Sequence, residues 1–280
     1  MKYLLHGHGG SGNHGCEAIV RTTLAMLPEG SDADVYSSDK FRDEQYGITN
    51  LAEFHQVNKK QQSPVLFTLT KGIFRVTGYP GFYNRFTFSE ALKTKGAVCL
   101  AVGGDNYCNG EPGRHAQKNK MFSKHNKSVL WGASVTPELM NDPKCVEDMK
   151  RYDLITARES LTYNALVKAG VRNAKLVSDP DFTLPIEKTD LPDIFTEEKV
   201  VGINVSPLVM KYELGNNILM KNVEELIRYI LNETKHSIAL IPHVLLKGND
   251  DRTPLRKLYD EFKDSGRIAL IDDDDSLNCC

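Results

Sequence analysis

The chain is 280 residues long, enough for one large domain or two of ordinary size with ample core. Apolar residues at 40% and charged residues at 26% describe an ordinary soluble globular protein, and 35 Lys plus Arg against 37 Asp plus Glu leave no global field to recruit nucleic acid or an anionic membrane. No stretch approaches the roughly 20 apolar residues of a membrane span, and the single lysine and short apolar run at the start are too little for a secretory signal, so a cytoplasmic protein is expected.

Cysteines 16, 99, 108, 145, 279 and 280 lack C-x-x-C spacing, which argues for reduced thiols rather than a disulfide framework. Cys99, within "GAVCLAV", reads as a small core residue.

Tyr3, Leu4 and Leu5 predict a short buried strand, and Val20, Leu24 and Leu27 recur at helical spacing before "PEG". Between them, residues 6–15 hold five glycines and three histidines. Such a strand-to-helix turn lets the backbone approach a ligand closely, and the helix start offers free N–H groups, so the expected guest is a phosphate or carboxylate. "GHGGSG" also matches G-x-G-x-x-G, with Asp39 after the second strand in the place of a ribose-binding acid. Against a dinucleotide site, Asn13, His14 and Gly15 are expected to prolong the loop, and bulky His8 interrupts the glycines. His6, His8, His14 and Cys16 are the alternative, a zinc set, but their spacing is irregular and no metal is expected.

"ADVYSS" predicts a second strand, and residues 40–95, irregular, aromatic and basic, are expected to form short helices. Then come strands at "AVCLAVGGDN", "SVLWGASV", "DLITARES" and "AKLVSDPDF", with a helix over 158–169. That alternation predicts a parallel sheet. Residues 185–198, with two prolines and many charges, read as a linker, after which "KVVGINVSP", "SIALIPHV" and "RIALID" predict strands interleaved with helices at "NVEELIRYILNET" and "TPLRKLYDEFKDSG". The fold class is therefore α/β, with two Rossmann-like units, 1–188 and 189–280, and a cleft between them. The second unit is expected to be incomplete, because the chain stops at "IDDDDSLNCC", just after a strand.

Ligands of such folds bind at the carboxyl ends of strands. Candidate binding residues there are Gly9, Gly10, Asn13, Gly15, Gly103, Gly104, Asp105, Asp179 and Ser206, and candidate catalytic residues are Glu17, Arg158 and His243. Arg158, at a strand end beside a helix start, can form a two-pronged hydrogen bond to an oxyanion, although a plain surface ion pair is the bland reading. Asp179-Pro180-Asp181 sets two carboxylates on a rigid turn, which also suits a simple helix cap. His243 is the best single proton-transfer candidate, since imidazole titrates near neutrality.

Taken in order, "NHGCEA", "AVGGDNY", "ITARESLTYNALVKAGV" with "LVSDPDFTL", and "GINVSP" then "IPHV" with Asp250-Asp251 resemble the polysaccharide pyruvyl transferase family. "ITARES…G…SDPDF" is the most specific part. The resemblance implies a glycosyltransferase-B-like enzyme that uses phosphoenolpyruvate to place a pyruvate ketal on a hexose of a bacterial surface polysaccharide or its lipid-linked precursor. It implies no cofactor, and it leaves oligomeric state and peripheral membrane association open. Cys16 departs from the family's usual N-x-G-D-E-A loop, where an aspartate stands, and the family's late arginine/histidine motif belongs to a segment with no counterpart before Cys280. Two other classes share these features: a sugar-nucleotide glycosyltransferase binding a diphosphate in the same place, and a non-catalytic glycan-binding assembly component.

Overall fold

A computed structural model describes residues 1–57, 63–108, 112–186, 192–196, 199–213, 215 and 217–271. The chain divides into two compact units, Met1–Ser11 with Gly15–Leu184, and Gly12–His14 with Pro185–Cys280. The expected boundary at 188/189 lies outside the described residues.

In the first unit, β1 (Lys2–His8), α1 (His14–Met26), β2 (Asp32–Ser37), α2 (Lys40–Gln45), β3 (Glu53–Gln56), α3 (Pro64–Thr77), α4 (Gly81–Thr87) and β4 (Val98–Ala101) are followed by α5 (Pro112–Phe122), β5 (Lys127–Ala133), α6 (Pro143–Arg151), β6 (Leu154–Ala157), α7 (Ser160–Lys168) and β7 (Ala174–Leu176). The seven strands are all parallel, in the order β3-β2-β1-β4-β5-β6-β7. The order reverses between β1 and β4, which is the place where doubly wound sheets receive ligands. Its strands are short and apolar because helices cover both faces: Leu4 and Leu5 of β1 are wholly buried, with opposite neighbours in two different clusters.

Several elements differ from expectation. β1 runs on to His8, past the predicted apolar run, and α1 opens at His14 rather than beyond the glycine loop. Residues 40–95 do hold short helices, but also β3, whose Glu53-Phe54-His55-Gln56 has one apolar residue and sits at a sheet edge, where a strand needs only one buried face. The spacing gave no cue to α5 and α6. α6 nonetheless carries local signals, with Asp142 accepting from Lys144 N and Pro143 in the first turn. Both helices hold Asp148: Tyr107 Oη and Asn119 Nδ2 donate to its oxygens at 2.7 and 2.9 Å, and Arg151 adds 3.0 Å. This buried, fully occupied carboxylate ties the turn after β4 to α5 and α6.

In the second unit, β8 (Val200–Ile203), α8 (Pro207–Met210), α9 (Ile218–Glu233), β9 (Ser237–Leu240), β10 (Leu245–Leu246), β11 (Asn249–Asp250), α10 (Arg252–Phe262) and β12 (Ile268–Leu270) follow in order. β12, β9 and β8 form a parallel sheet, as the alternation predicts, and β10 and β11 form a small antiparallel hairpin that it does not. Ile227, Ile230, Ile238, Leu240, Leu255 and Leu258 make its core. Gly12–His14 group with this unit: Gly12 O accepts from Leu245 N at 2.6 Å, His14 N donates to His243 O at 3.1 Å, and Asn13 bridges Val244. Among the described residues no helix is long and apolar enough to cross a membrane.

Limited proteolysis is expected to cut first between 185 and 198, releasing fragments that match the two units. Early cleavage within 100–180 with 185–198 intact would contradict an independent second domain.

Candidate active site

Arg158 organises the carboxyl end of the first sheet. It leaves β6 with its N–H bonded to Ala133 O, and its guanidinium is held on two sides: Nε donates to Ser134 Oγ at 2.9 Å and Nη1 to Asp179 Oδ2 at 2.9 Å. Ser134 follows β5, and its own N–H bonds Gly104 O at 2.7 Å. The guanidinium lies flat against Gly104, where an added Cβ would sit 2.5 Å from Nη1 and 2.9 Å from Cζ. A side chain at 104 would therefore push the guanidinium out of both hydrogen bonds. Of the five N–H donors of an arginine, Ser134 and Asp179 occupy two, and those of Nη2 meet no partner among the described residues. The side chain keeps a quarter of its surface exposed, and a guanidinium with unused donors suits an anion.

Asp179 has two tasks. Besides orienting Arg158, its Oδ1 accepts from Asp181 N and caps the short helix Pro180–Thr183, so the helix-cap reading of this turn holds. Asp181 stands in "SDPDF" but is not among the candidates that the sequence singles out. Its Oδ1 is buried without a hydrogen-bond partner, and burial, then the neighbouring Asp179 carboxylate, push its pKa up to about 7 against the pull of Arg158. It can thus carry a proton at neutral pH. The neighbouring carboxylate is visible in "SDPDF", but the burial that makes it count is not.

The glycine loop supplies the other wall of this corner. Gly10 takes φ +106°, and a Cβ there would meet Asp39 Cβ at 2.7 Å, so only glycine fits. At Gly9 an added Cβ would meet only Cys16 Sγ at 3.9 Å, an ordinary contact. Gly15 lies in the first turn of α1. Gly103 packs on the Asn106 side chain, and Asp105 O accepts from Cys108 N in the same turn. Burial first, then the Asp105 charge, raise the Cys16 thiol to about 11, with Asp181 adding to this and Gly9 and Arg158 opposing it. That coupling places Cys16 among Arg158, Asp105 and Asp181, as a neutral thiol.

The remaining expected residues fall elsewhere. Glu17 has no exposed surface, and Arg21 Nε donates to its Oε1 at 2.7 Å while Arg21 Nη2 holds Tyr46 O. Placed so, it fixes the start of α1 instead of facing solvent. In the second unit, Ser206 caps α8 by accepting from Leu208 N at 3.2 Å. His243 N and Val244 N both donate to Asp251 Oδ2, at 3.0 and 2.9 Å, and Asn204 Nδ2 donates to the same oxygen. Asp251, nearly fully buried, therefore shapes the loop that presents His243, whose pKa is lowered by burial and then by His14, with Asp251 opposing.

The four residues of the alternative zinc set point in different directions. His6 stacks on Phe122 at 4.5 Å in the core, His8 Nε2 is 2.9 Å from Asp43 Oδ1, and His14 faces His243. Asp34, Glu53 and His55 are the one group among the described residues whose ligating atoms come close enough to hold a metal ion. Asp39, the residue in the place of a ribose acid, instead accepts from Arg42 N as the N-cap of α2.

An all-parallel sheet whose strand order reverses at β1 and β4, with a glycine loop and an arginine at its carboxyl end, defines a Rossmann-like α/β unit of the kind found in glycosyltransferase-B-type folds. Residues 13–277 match the polysaccharide pyruvyl transferase family, and the chain belongs to that family. It is accordingly a transferase of polysaccharide biosynthesis, and the family implies a sugar or polysaccharide acceptor. None of the curated protein sequences matches it. Among solved structures it is similar to a UDP-N-acetylglucosamine 2-epimerase, with 14% identity over 97% of this chain and 68% of the other and a TM-score of 0.56, a likeness of fold alone. It is also similar to UDP-GlcNAc 2-epimerase from Methanocaldococcus jannaschii, at 13% identity over 97% and 72% with a TM-score of 0.49. The lipopolysaccharide outer core galactosyltransferase WaaB, at 13% identity over 97% and 68%, gives 0.43.

The raised pKa of Asp181 has a measurable sign. With the folded value near 7 and an unfolded value near 4, the folded chain binds the extra proton between those limits, so this group's contribution to stability falls as pH rises through the window and is constant above it. Asp181→Asn removes the ionisation. Thermal unfolding of variant and parent from pH 4 to 8 is expected to show the variant gaining on the parent up to about pH 7, with a constant margin beyond; parallel curves would show that Asp181 ionises normally.

Proposed function

We propose that the chain transfers a pyruvyl group from phosphoenolpyruvate to two hydroxyls of a hexose in a surface polysaccharide or its lipid-linked precursor. The observation that carries this reading is the Arg158 guanidinium, fixed by Ser134 and Asp179 and seated on Gly104, with the Nη2 edge unoccupied among the described residues. Phosphoenolpyruvate offers two oxyanions, a carboxylate and a phosphate, and a planar two-pronged donor suits either. Gly9 and Gly10 bring backbone close to the same corner, and the start of α1 favours negative charge.

The reaction adds a proton to the methylene carbon of the enol, joins two sugar oxygens to the central carbon, and breaks the bond to the phosphate oxygen. One hydroxyl proton ends on the new methyl group and the other leaves with phosphate, so nothing else is consumed. Arg158 holds the donor and stabilises the departing phosphate. Asp181, which holds a proton in part at neutral pH, is the proton donor assigned beside that arginine, and Asp179, committed to Arg158 and the helix cap, keeps both in place. Glu17 and Arg21 position α1. His243, held by Asp251, is assigned to deprotonating an acceptor hydroxyl, and Asn13 and Ser206 to holding the acceptor. A sugar-nucleotide donor is the competing reading, and UDP-sugar failing to displace phosphoenolpyruvate decides against it.

Replacing Arg158 by alanine removes a charge-assisted pair to the donor, a loss of about 1.5–3 kcal/mol or roughly 10- to 150-fold in affinity. Calorimetry with phosphoenolpyruvate reads this directly. Arg158→Lys is expected to be impaired as well, because an ammonium cannot reproduce the two-pronged geometry. Unchanged affinity in Arg158→Ala would sink the assignment.

A further inference from the structure

A second basic recess opens in the first unit, among the carboxyl ends of β1 and β2, α4 and α5. It is a cavity of about 190 Å³. Neither Arg158 nor Asp179 is among the residues that line it. Lys118, from the middle of α5, is 91% buried there, being only 9% exposed, and meets neither a carboxylate nor a hydrogen-bond acceptor among the described residues. An ammonium so placed has lost most of its water without gaining an anion, which is costly unless something else supplies the charge. Arg114, one turn earlier on α5, lines the same recess with its guanidinium over the rings of Phe74 and Tyr83.

The polar groups around these two cations complete the pattern. Thr87 Oγ1, Asn106 Nδ2 and His8 Nδ1 line the recess and are all buried without a hydrogen-bond partner. Thr87 and Asn106 come from separate segments, the end of α4 and the turn after β4, so their orphan donors converge from two sides. No aspartate or glutamate lines the recess among the described residues. Orphaned buried polar groups are rare in folded proteins, and several facing one cavity beside an uncompensated lysine indicate a missing ligand rather than scattered packing faults. Burial, then the Arg114 charge, lower the Lys118 ammonium to about 7, and an anion in the recess would restore it.

We infer that this recess is an oxyanion subsite, separate from the Arg158 corner, in which Lys118, Arg114, Asn106 and Thr87 take a phosphate or carboxylate carried by the acceptor glycan. Its volume is below the roughly 300–1,000 Å³ of pockets for drug-sized ligands and equals about six water molecules, which suits one anionic substituent and not a nucleotide. Assigning the anion to the acceptor rests on the transferase reading above; the presence of the site does not.

Titration of inorganic phosphate, followed by ³¹P NMR and calorimetry, tests it on the whole chain. The parent protein is expected to bind two phosphates, Arg158→Ala to lose one and Lys118→Met to lose the other, with affinity for that second phosphate falling at least tenfold. Thr87→Val, which keeps the shape and removes the orphan hydroxyl, should weaken the same phosphate several-fold and serves if Lys118→Met does not fold. Glucuronate displacing the phosphate that depends on Lys118 would identify a uronic-acid acceptor, and failure to displace it a phosphate-bearing one. Two phosphates of unchanged affinity in both Lys118→Met and Thr87→Val would overturn the subsite and make Lys118 a structural lysine. Phosphoenolpyruvate binding lost in Arg158→Ala but kept in Lys118→Met separates the two sites, and absence of any phosphoenolpyruvate binding would remove the donor reading while leaving the phosphate result standing.

Discussion

A missing side chain at Gly104 is the constraint on which the first unit's site depends. Because nothing projects from that position, the Arg158 guanidinium can lie on the backbone of the turn after β4, within reach of Ser134 from β5 and Asp179 after β7. Three strand ends thus converge on one planar cation. The desolvation this imposes on Arg158 is partial, since one side of the group stays exposed, and the two hydrogen bonds hold it in one rotamer before any ligand arrives. Preorganisation of this kind lets a binding group act without reordering.

The same economy explains the buried polar groups around it. Asp148 is fully bonded to Tyr107, Asn119 and Arg151 and fixes the turn that carries Gly103 and Gly104. Asp43 plays the matching part under the glycine loop, accepting from Ser11 N and Oγ and pairing with His8. Burial alone would raise the Asp43 carboxyl, but His8, Ser37 and Ser11 bring it below the usual range, so it is a charged anchor for the loop. Lys118 stands apart because no carboxylate among the described residues lines its recess.

Much of this was legible in the sequence. Alternating apolar runs and helical spacing predict the parallel strands, and a strand end followed by glycine or arginine marks Gly104 and Arg158 without any structure. What was not legible depends on partners distant in the chain. Edge strand β3 lacks an apolar run because one face is open, α5 is too polar to show a stripe, and "HGHGG" suggests metal ligands although His6 belongs to the aromatic core beside Phe122. Glu17 reads as a catalytic candidate beside the glycine loop, and only the fold shows it buried with Arg21 closing over it. Lys118 sits in an unremarkable string, and Asp181 and Asp251, although within the quoted "SDPDF" and Asp250-Asp251, are set apart only by burial and neighbours.

Turnover in deuterated water reads the chemistry at the Arg158 corner. Incubation of the protein with phosphoenolpyruvate and a hexose acceptor, followed by ³¹P and ¹H NMR, is predicted to release one inorganic phosphate per ketal formed and to give a ketal methyl group carrying one deuterium, delivered to the former enol carbon. Ketal formation with no deuterium in the methyl group, or transfer of a sugar from a nucleotide donor with phosphoenolpyruvate left intact, would contradict it.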